Sequence, residues 1–131
     1  VHEGDERRAI DTIMTRLRSL VEETGAGIIL VSHLRRVDGN KGHENGIEVS
    51  LSHLRGSNSI GQLSDCVIAL ERNQQSDDPE EARTTRLRVL KSRYTGDVGM
   101  ATRVVYDSET GRLSEVSDDD IEFDDSTGEA F

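Results

Sequence analysis

The sequence predicts an α/β domain. Three observations carry this: a long amphipathic helix near the start, short unbroken apolar runs, and a pair of alternating segments joined by a glycine turn. The helix is predicted over residues 5–24, where Ile10, Ile13, Met14, Leu17, Leu20 and Val21 recur every three or four positions. Asp5 and Glu6 suit its positive end, and Gly25 suits its stop. Gly27-Ile28-Ile29-Leu30-Val31-Ser32 follows, and reads as a strand covered on both faces, as in a parallel sheet.

Residues 35–48 are polar and glycine-rich, so a long loop is expected directly after that strand, at the sheet edge where α/β domains bind ligands. Residues 50–65 read as a helical turn, a glycine break and a short helix. Cys66-Val67-Ile68-Ala69-Leu70 is expected as a second buried strand, and residues 74–81, with Pro79, as a charged turn. Leu87 and Val89 alternate with Arg86 and Arg88, which predicts a strand over 85–94. After a turn at 95–99 it should return over 102–106, forming a hairpin with a loop longer than two residues. Residues 109–112 turn the chain again.

With 131 residues, 33% hydrophobic and 32% charged, the chain suffices for one domain with a small core. Its net charge of −10 is unevenly placed. Residues 114–131 hold eight acidic side chains and no Lys or Arg, so the remaining 113 residues carry 18 acidic against 16 basic ones. The acidity thus belongs to a tail expected to be disordered, and it does not argue against nucleic-acid binding by the body. A single cysteine, Cys66, excludes a disulfide framework within the chain and is the pattern of a reducing compartment. No run approaches the roughly 18 apolar residues of a membrane span, and no signal peptide is expected. A first residue that is Val, followed almost at once by a helix, is expected of a fragment.

Four motifs bear polar groups where chemistry is done. Ser32-His33 ends the first apolar run, where His33 is placed to hydrogen-bond a phosphate or orient a water, or simply to cap the strand. Arg55-Gly56-Ser57-Asn58-Ser59 offers a cation and small donors ahead of a helix, a pattern that favours phosphate but also makes plain turns. Arg72 follows the second run and reads either as a base-stacking arginine or as a solvated strand end. Lys91 and Arg93, two residues apart, face one side of a strand, where they reach a phosphate on a neighbour or form an ordinary basic face.

The order of these motifs is more specific than any one of them. The runs "LRGSNSIGQLSD", "CVIALERNQQ" and "LKSRYTGDVG", behind a strand ending Ser-His, resemble the last third of hexameric replicative helicases of the bacteriophage primase–helicase type. These are related to the DnaB helicases, with RecA-like motor domains, and the resemblance covers about residues 5–113. It implies a partial RecA-like P-loop NTPase domain over 1–113 and a disordered acidic tail over 114–131. It implies ATP or dTTP with Mg2+ bound between subunits of a homo-hexameric ring, and single-stranded DNA in the central channel. His33 falls at the γ-phosphate sensor, and Arg93 at the arginine finger that reaches the neighbour's nucleotide, with Lys91 its companion. Arg72 and Tyr106 match the pair that sandwiches the base, and Gln62 lies near the nucleotide. Arg35, Arg36 and Lys41 resemble the DNA-gripping channel loop, and Arg55, Gly56 and Ser57 a second DNA-proximal segment.

Two departures weaken parts of this. Arg35 and Gly39 stand where relatives carry lysines, and Gly61 replaces a basic residue beside the glutamine. The sequence contains no Gly-x-x-x-x-Gly-Lys-Ser/Thr segment and no apolar strand ending in an Mg2+-binding Asp. In the family both precede the part corresponding to residue 5, so this segment alone is expected to be inactive.

The resemblance further implies ATP-driven translocation on single-stranded DNA and duplex unwinding, in the bacterial host cytoplasm, with no membrane partner. It also implies that the acidic tail, ending in Phe131, docks on the replicative DNA polymerase. Two alternatives remain at this level: a RecA-like recombinase-type ATPase, and a stand-alone, non-catalytic interaction module.

Overall fold

A computed structural model describes residues 3–35, 42–54 and 58–116. The first element, α1 (Glu3–Thr24), matches the predicted helix. It ends where expected: Gly25 adopts φ +70° and its N–H donates to the Val21 carbonyl at 2.8 Å. Met14 is buried, but Ile13 and Leu20 on the same apolar stripe are exposed, so α1 covers only part of its hydrophobic face. Its packing partner is α2 (Ser59–Leu63), which buries Ile60. A single 3-10 turn, Leu51–His53, precedes α2, giving the broken helical stretch read from residues 50–65.

The sheet has four strands in the order β1 (Cys66–Glu71), β2 (Thr84–Ser92), β3 (Gly99–Asp107) and β4 (Arg112–Glu115), each antiparallel to the next. Short α3 (Pro79–Arg83) links β1 to β2, with the Asp78 carboxylate accepting from the Glu80 N–H and Pro79 in the first turn. The predicted hairpin is β2–β3, with six intervening residues. β4 was not expected; it pairs Leu113 with Tyr106 and extends the meander past the 108–111 turn.

The parallel, doubly covered sheet does not appear among the described residues. Among the described residues every strand pairing is antiparallel, and Gly27–Ser32 belongs to no strand. Ile29 is 97% exposed and Val31 86%. A strand exists only where a neighbour answers its N–H and C=O groups, and no described segment does so for 27–32. Cys66–Leu70 does form a strand, β1, but at the sheet edge with one covered face. Cys66, Ile68 and Leu70 are exposed, while Ala69 and Glu71 are buried and Val67 is half-buried. An unbroken apolar run reports hydrophobicity, not which faces are covered, so periodicity alone could not separate the two cases.

The core is small, made of Met14, Val49, Ile60 and Ala69, with Glu71 the buried charged residue among those described. No helix among the described residues is long and apolar enough to cross a membrane. The expected tail lies mostly outside the described residues.

Candidate functional site

Two polar clusters lie at opposite ends of β2. The first gathers Lys91 and Arg93 against the C-terminal end of α2. Lys91 Nζ donates to the Gly61 and Gln62 carbonyls at 2.7 and 3.0 Å, and Arg93 Nη2 donates to the Gln62 carbonyl at 3.1 Å. These are carbonyls that a helix end leaves without intrahelical partners, so cations suit them. The residues read as nucleotide-facing from sequence, Lys91, Arg93 and Gln62, are therefore brought together. Gln62 contributes its carbonyl here, and its side chain is exposed.

The same cluster contains two residues that sequence reasoning did not single out. Asp65 Oδ1 accepts from Arg93 Nη1 at 2.7 Å, and both Asp65 oxygens accept from Arg18 Nη1, at 3.0 and 2.9 Å. The Arg18 hydrogen bond is the leading reason that the Asp65 carboxyl is held below its ordinary value, with the positive charges of Arg18, Arg93 and Lys91 adding to it. Arg18 in turn has its proton held more tightly by Asp65 first and Glu22 second. Asp65 stands inside the quoted "QLSD" motif, so a signal existed; Arg18, 47 residues away and one helical turn after the buried Met14 of α1, offered none.

The second cluster pins the segment that precedes residue 50. Glu71 has a fully buried side chain. Its Oε2 accepts from the Val49 N–H at 2.6 Å, and its carboxylate accepts from Arg88 Nε at 3.1 and 3.2 Å. Arg86 Nε lies 3.7 Å from Glu71, and Arg86 Nη2 donates to the Gly46 carbonyl at 2.6 Å. Gly46 needs its positive φ of +76°, and an added Cβ would come within 2.9 Å of the Asn73 Cβ. An Asn45–Asn73 bridge completes the attachment. The overlooked signal was parity: Val67, Ala69 and Glu71 share one face of β1, which put a charge on the covered side.

The other foot of the polar segment is tied as well. Leu34 bridges Leu54, the Arg35 N–H donates to the His53 carbonyl at 2.9 Å, and His43 Nε2 lies 3.0 Å from the Arg35 carbonyl. A carbonyl only accepts, so Nε2 of His43 carries the proton there. His43 and His53 meet edge to face at 5.3 Å. His33 and Arg35 are exposed at this foot. Arg36 and Lys41, and Arg55, Gly56 and Ser57, lie outside the described residues.

Arg72 and Tyr106 sit at one end of the sheet. Glu71 faces Arg86, Arg86 faces Arg103, and Tyr106 lies three residues further along β3. The register brings them to the same end without a direct contact, two strands apart. That end is the one remote from Lys91, which pairs with Val67. No three His, Cys, Asp or Glu side chains converge as a metal site among the described residues.

Residues 1–115 match the family model described as DnaB-like helicase C terminal domain. The chain belongs to the DnaB-like helicase C-terminal domain family. It is also 46% identical over 111 residues to the DNA helicase/primase of Enterobacteria phage T3, an alignment covering 85% of this chain. The chain spans 19% of that relative's length. The DnaB-like match ends at residue 115, so within this family the acidic residues beyond it lie outside the matched region.

Proposed function

We propose that this chain is the C-terminal part of the motor domain of a phage replicative DNA helicase, with a RecA-like fold. In this reading it supplies a γ-phosphate sensor (His33), DNA-binding segments and a trans arginine finger (Arg93) to a ring of six identical subunits. The observation that carries the reading is the clustering of Lys91 and Arg93 at one end of β2, with Arg72 and Tyr106 at the other. Seven residues separate the Arg86 pairing from Arg93, which is roughly 20 Å of strand. The distance favours a nucleotide held at its base by Arg72 and Tyr106 being different from the one that Arg93 serves. That separation supports reading Arg93 as a finger that acts on the neighbour's ATP.

In the reaction, Arg93 neutralises charge developing on the transferred phosphoryl group, and Lys91 adds a second positive charge. ATP or dTTP with Mg2+ supplies the driving force when bound. The phosphate-cradling loop and main Mg2+ ligands belong to the part of the protein preceding residue 5 in this family. The exposed apolar residues Ile28–Val31, Ile68 and Leu70 support a larger motor domain in which those surfaces pack against further strands. His33 borders Leu34 and Arg35, whose bridge and backbone hydrogen bond hold one foot of the polar segment. That placement suits passing the state of the phosphate to single-stranded DNA gripped by Arg35, Arg36, Lys41 and the Arg55–Gly56–Ser57 segment. The protein acts in the bacterial host cytoplasm, and its acidic tail with Phe131 docks on the replicative polymerase.

The test is Arg93→Ala in the full-length protein. DNA-stimulated hydrolysis should fall by about 10³–10⁵, the contribution typical of arginine fingers, with nucleotide binding retained. Near-normal turnover would remove Arg93 from this role. Strand displacement on a forked duplex separates the helicase from a recombinase-type ATPase.

A further inference from the structure

The proposed finger is not free in this structure. Its tip and its base are both held by one residue, Asp65. The Arg93 N–H donates to the Asp65 carbonyl at 2.8 Å, while Arg93 Nη1 donates to the Asp65 carboxylate at 2.7 Å. Arg93 Nη2 is occupied by the Gln62 carbonyl. One N–H on each terminal nitrogen of the guanidinium is so engaged, which aims it at its own subunit, yet its side chain is 39% exposed, so it can leave without unpacking a core.

We propose that Asp65 is a positioning residue for Arg93, a latch that parks the finger on its own subunit until a neighbour's nucleotide draws it away. This rests on the reading of Arg93 as a trans finger. Two features make Asp65 suited to release as well as to holding. The backbone bond fixes the root of the arginine, so release is a side-chain rotation and not a movement of β2. And the carboxylate is shared: Arg18 Nη1 spans both of its oxygens and is itself steadied by Glu22, with Arg18 Nε donating to Glu22 Oε1 at 3.2 Å. When Arg93 departs, Asp65 keeps a cation and no orphaned charge remains. Arg18 therefore competes with Arg93 and sets how tightly the latch holds.

Competition predicts effects of opposite sign, which a merely structural carboxylate would not give. Asp65→Asn preserves shape but weakens the hold on Arg93. Arg18→Met removes the competitor and leaves Arg93 as the main partner of Asp65. Both are made in the full-length helicase, with Arg93→Ala as the reference. DNA-free ATP turnover should rise roughly two- to fivefold in Asp65→Asn and fall by a similar factor in Arg18→Met, the range that exposed ion pairs span. The change should appear in kcat, with KM for ATP little altered, because neither residue is placed on the nucleotide. Turnover that falls in both variants, or changes in neither, while Arg93→Ala is inactive, overturns the latch. Near-normal turnover in Arg93→Ala overturns the finger itself, so the two failures are distinguishable.

Discussion

Replacing Glu71 with Ala should loosen the segment around Val49 far more than the sheet. The substitution removes the acceptor of the Val49 N–H, a bond at 2.6 Å in a region where Val49 is only 2% exposed. It also leaves Arg88 and Arg86 without their buried carboxylate, and Arg86 Nε is already buried with no hydrogen-bond partner. An orphaned buried amide costs about 1–3 kcal/mol. Breaking a fully buried ion pair costs about 3–5 kcal/mol, but Arg86 and Arg88 keep 28% and 19% of their side-chain exposure. Water therefore recovers part of the second cost, and about 2–3 kcal/mol is expected for the attachment as a whole. If the segment opens locally, that corresponds to roughly a 30- to 150-fold loss of amide protection. The assay is hydrogen exchange with peptide readout on the full-length protein, comparing residues 45–50 with residues in β2 and β3. Glu71→Gln, which keeps an acceptor but not the charge, should fall between wild type and Glu71→Ala. Unchanged exchange at 45–50, or equal loss across β2 and β3, would refute the idea that Glu71 fastens this segment to the sheet.

Two further outcomes are expected, one from the geometry at Asp65 and one from the charge of the tail. The Asp65 carboxyl is depressed in the folded chain, so its contribution is present above the ordinary carboxylate value and is lost only as pH falls through the lowered one. The difference in melting temperature between Asp65→Asn and the unaltered full-length protein should thus be constant from about pH 7 to 5 and shrink below about pH 4; a difference that vanishes near pH 6 would point to a histidine instead. Deleting residues 115–131 should abolish salt-sensitive binding to the cognate polymerase while sparing ATPase activity, because eight acidic groups between residues 114 and 131 steer through screened electrostatics; unchanged affinity at two salt concentrations would leave the tail without that role.

Much of the chain was legible from local pattern. The helix over residues 5–24, its glycine stop, the broken helical stretch before Asp65 and the long-looped hairpin all appear within a few residues of their predicted bounds. The identifying motifs were legible too, because family membership is written in short runs such as "LRGSNSIGQLSD" and "LKSRYTGD". These features depend on periodicity, turn chemistry and neighbouring residues, all of which one sequence contains.

What the sequence could not decide was who meets whom. Gly27–Ser32 carries the composition of a buried strand, yet strand identity depends on a neighbour that no local pattern names, and here the segment stands exposed. The direction of pairing in the sheet, the edge position of β1 and the existence of β4 are likewise set by register between separate segments. The polar site shows the same division. Lys91 and Arg93 announced themselves by their motif, whereas Arg18 and Asp65 meet across 47 residues and Val49 and Glu71 across 22. Such partners are chosen by where the folded backbone carries each side chain, so sequence alone marked Lys91 and Arg93, and tertiary structure decided which residues hold them.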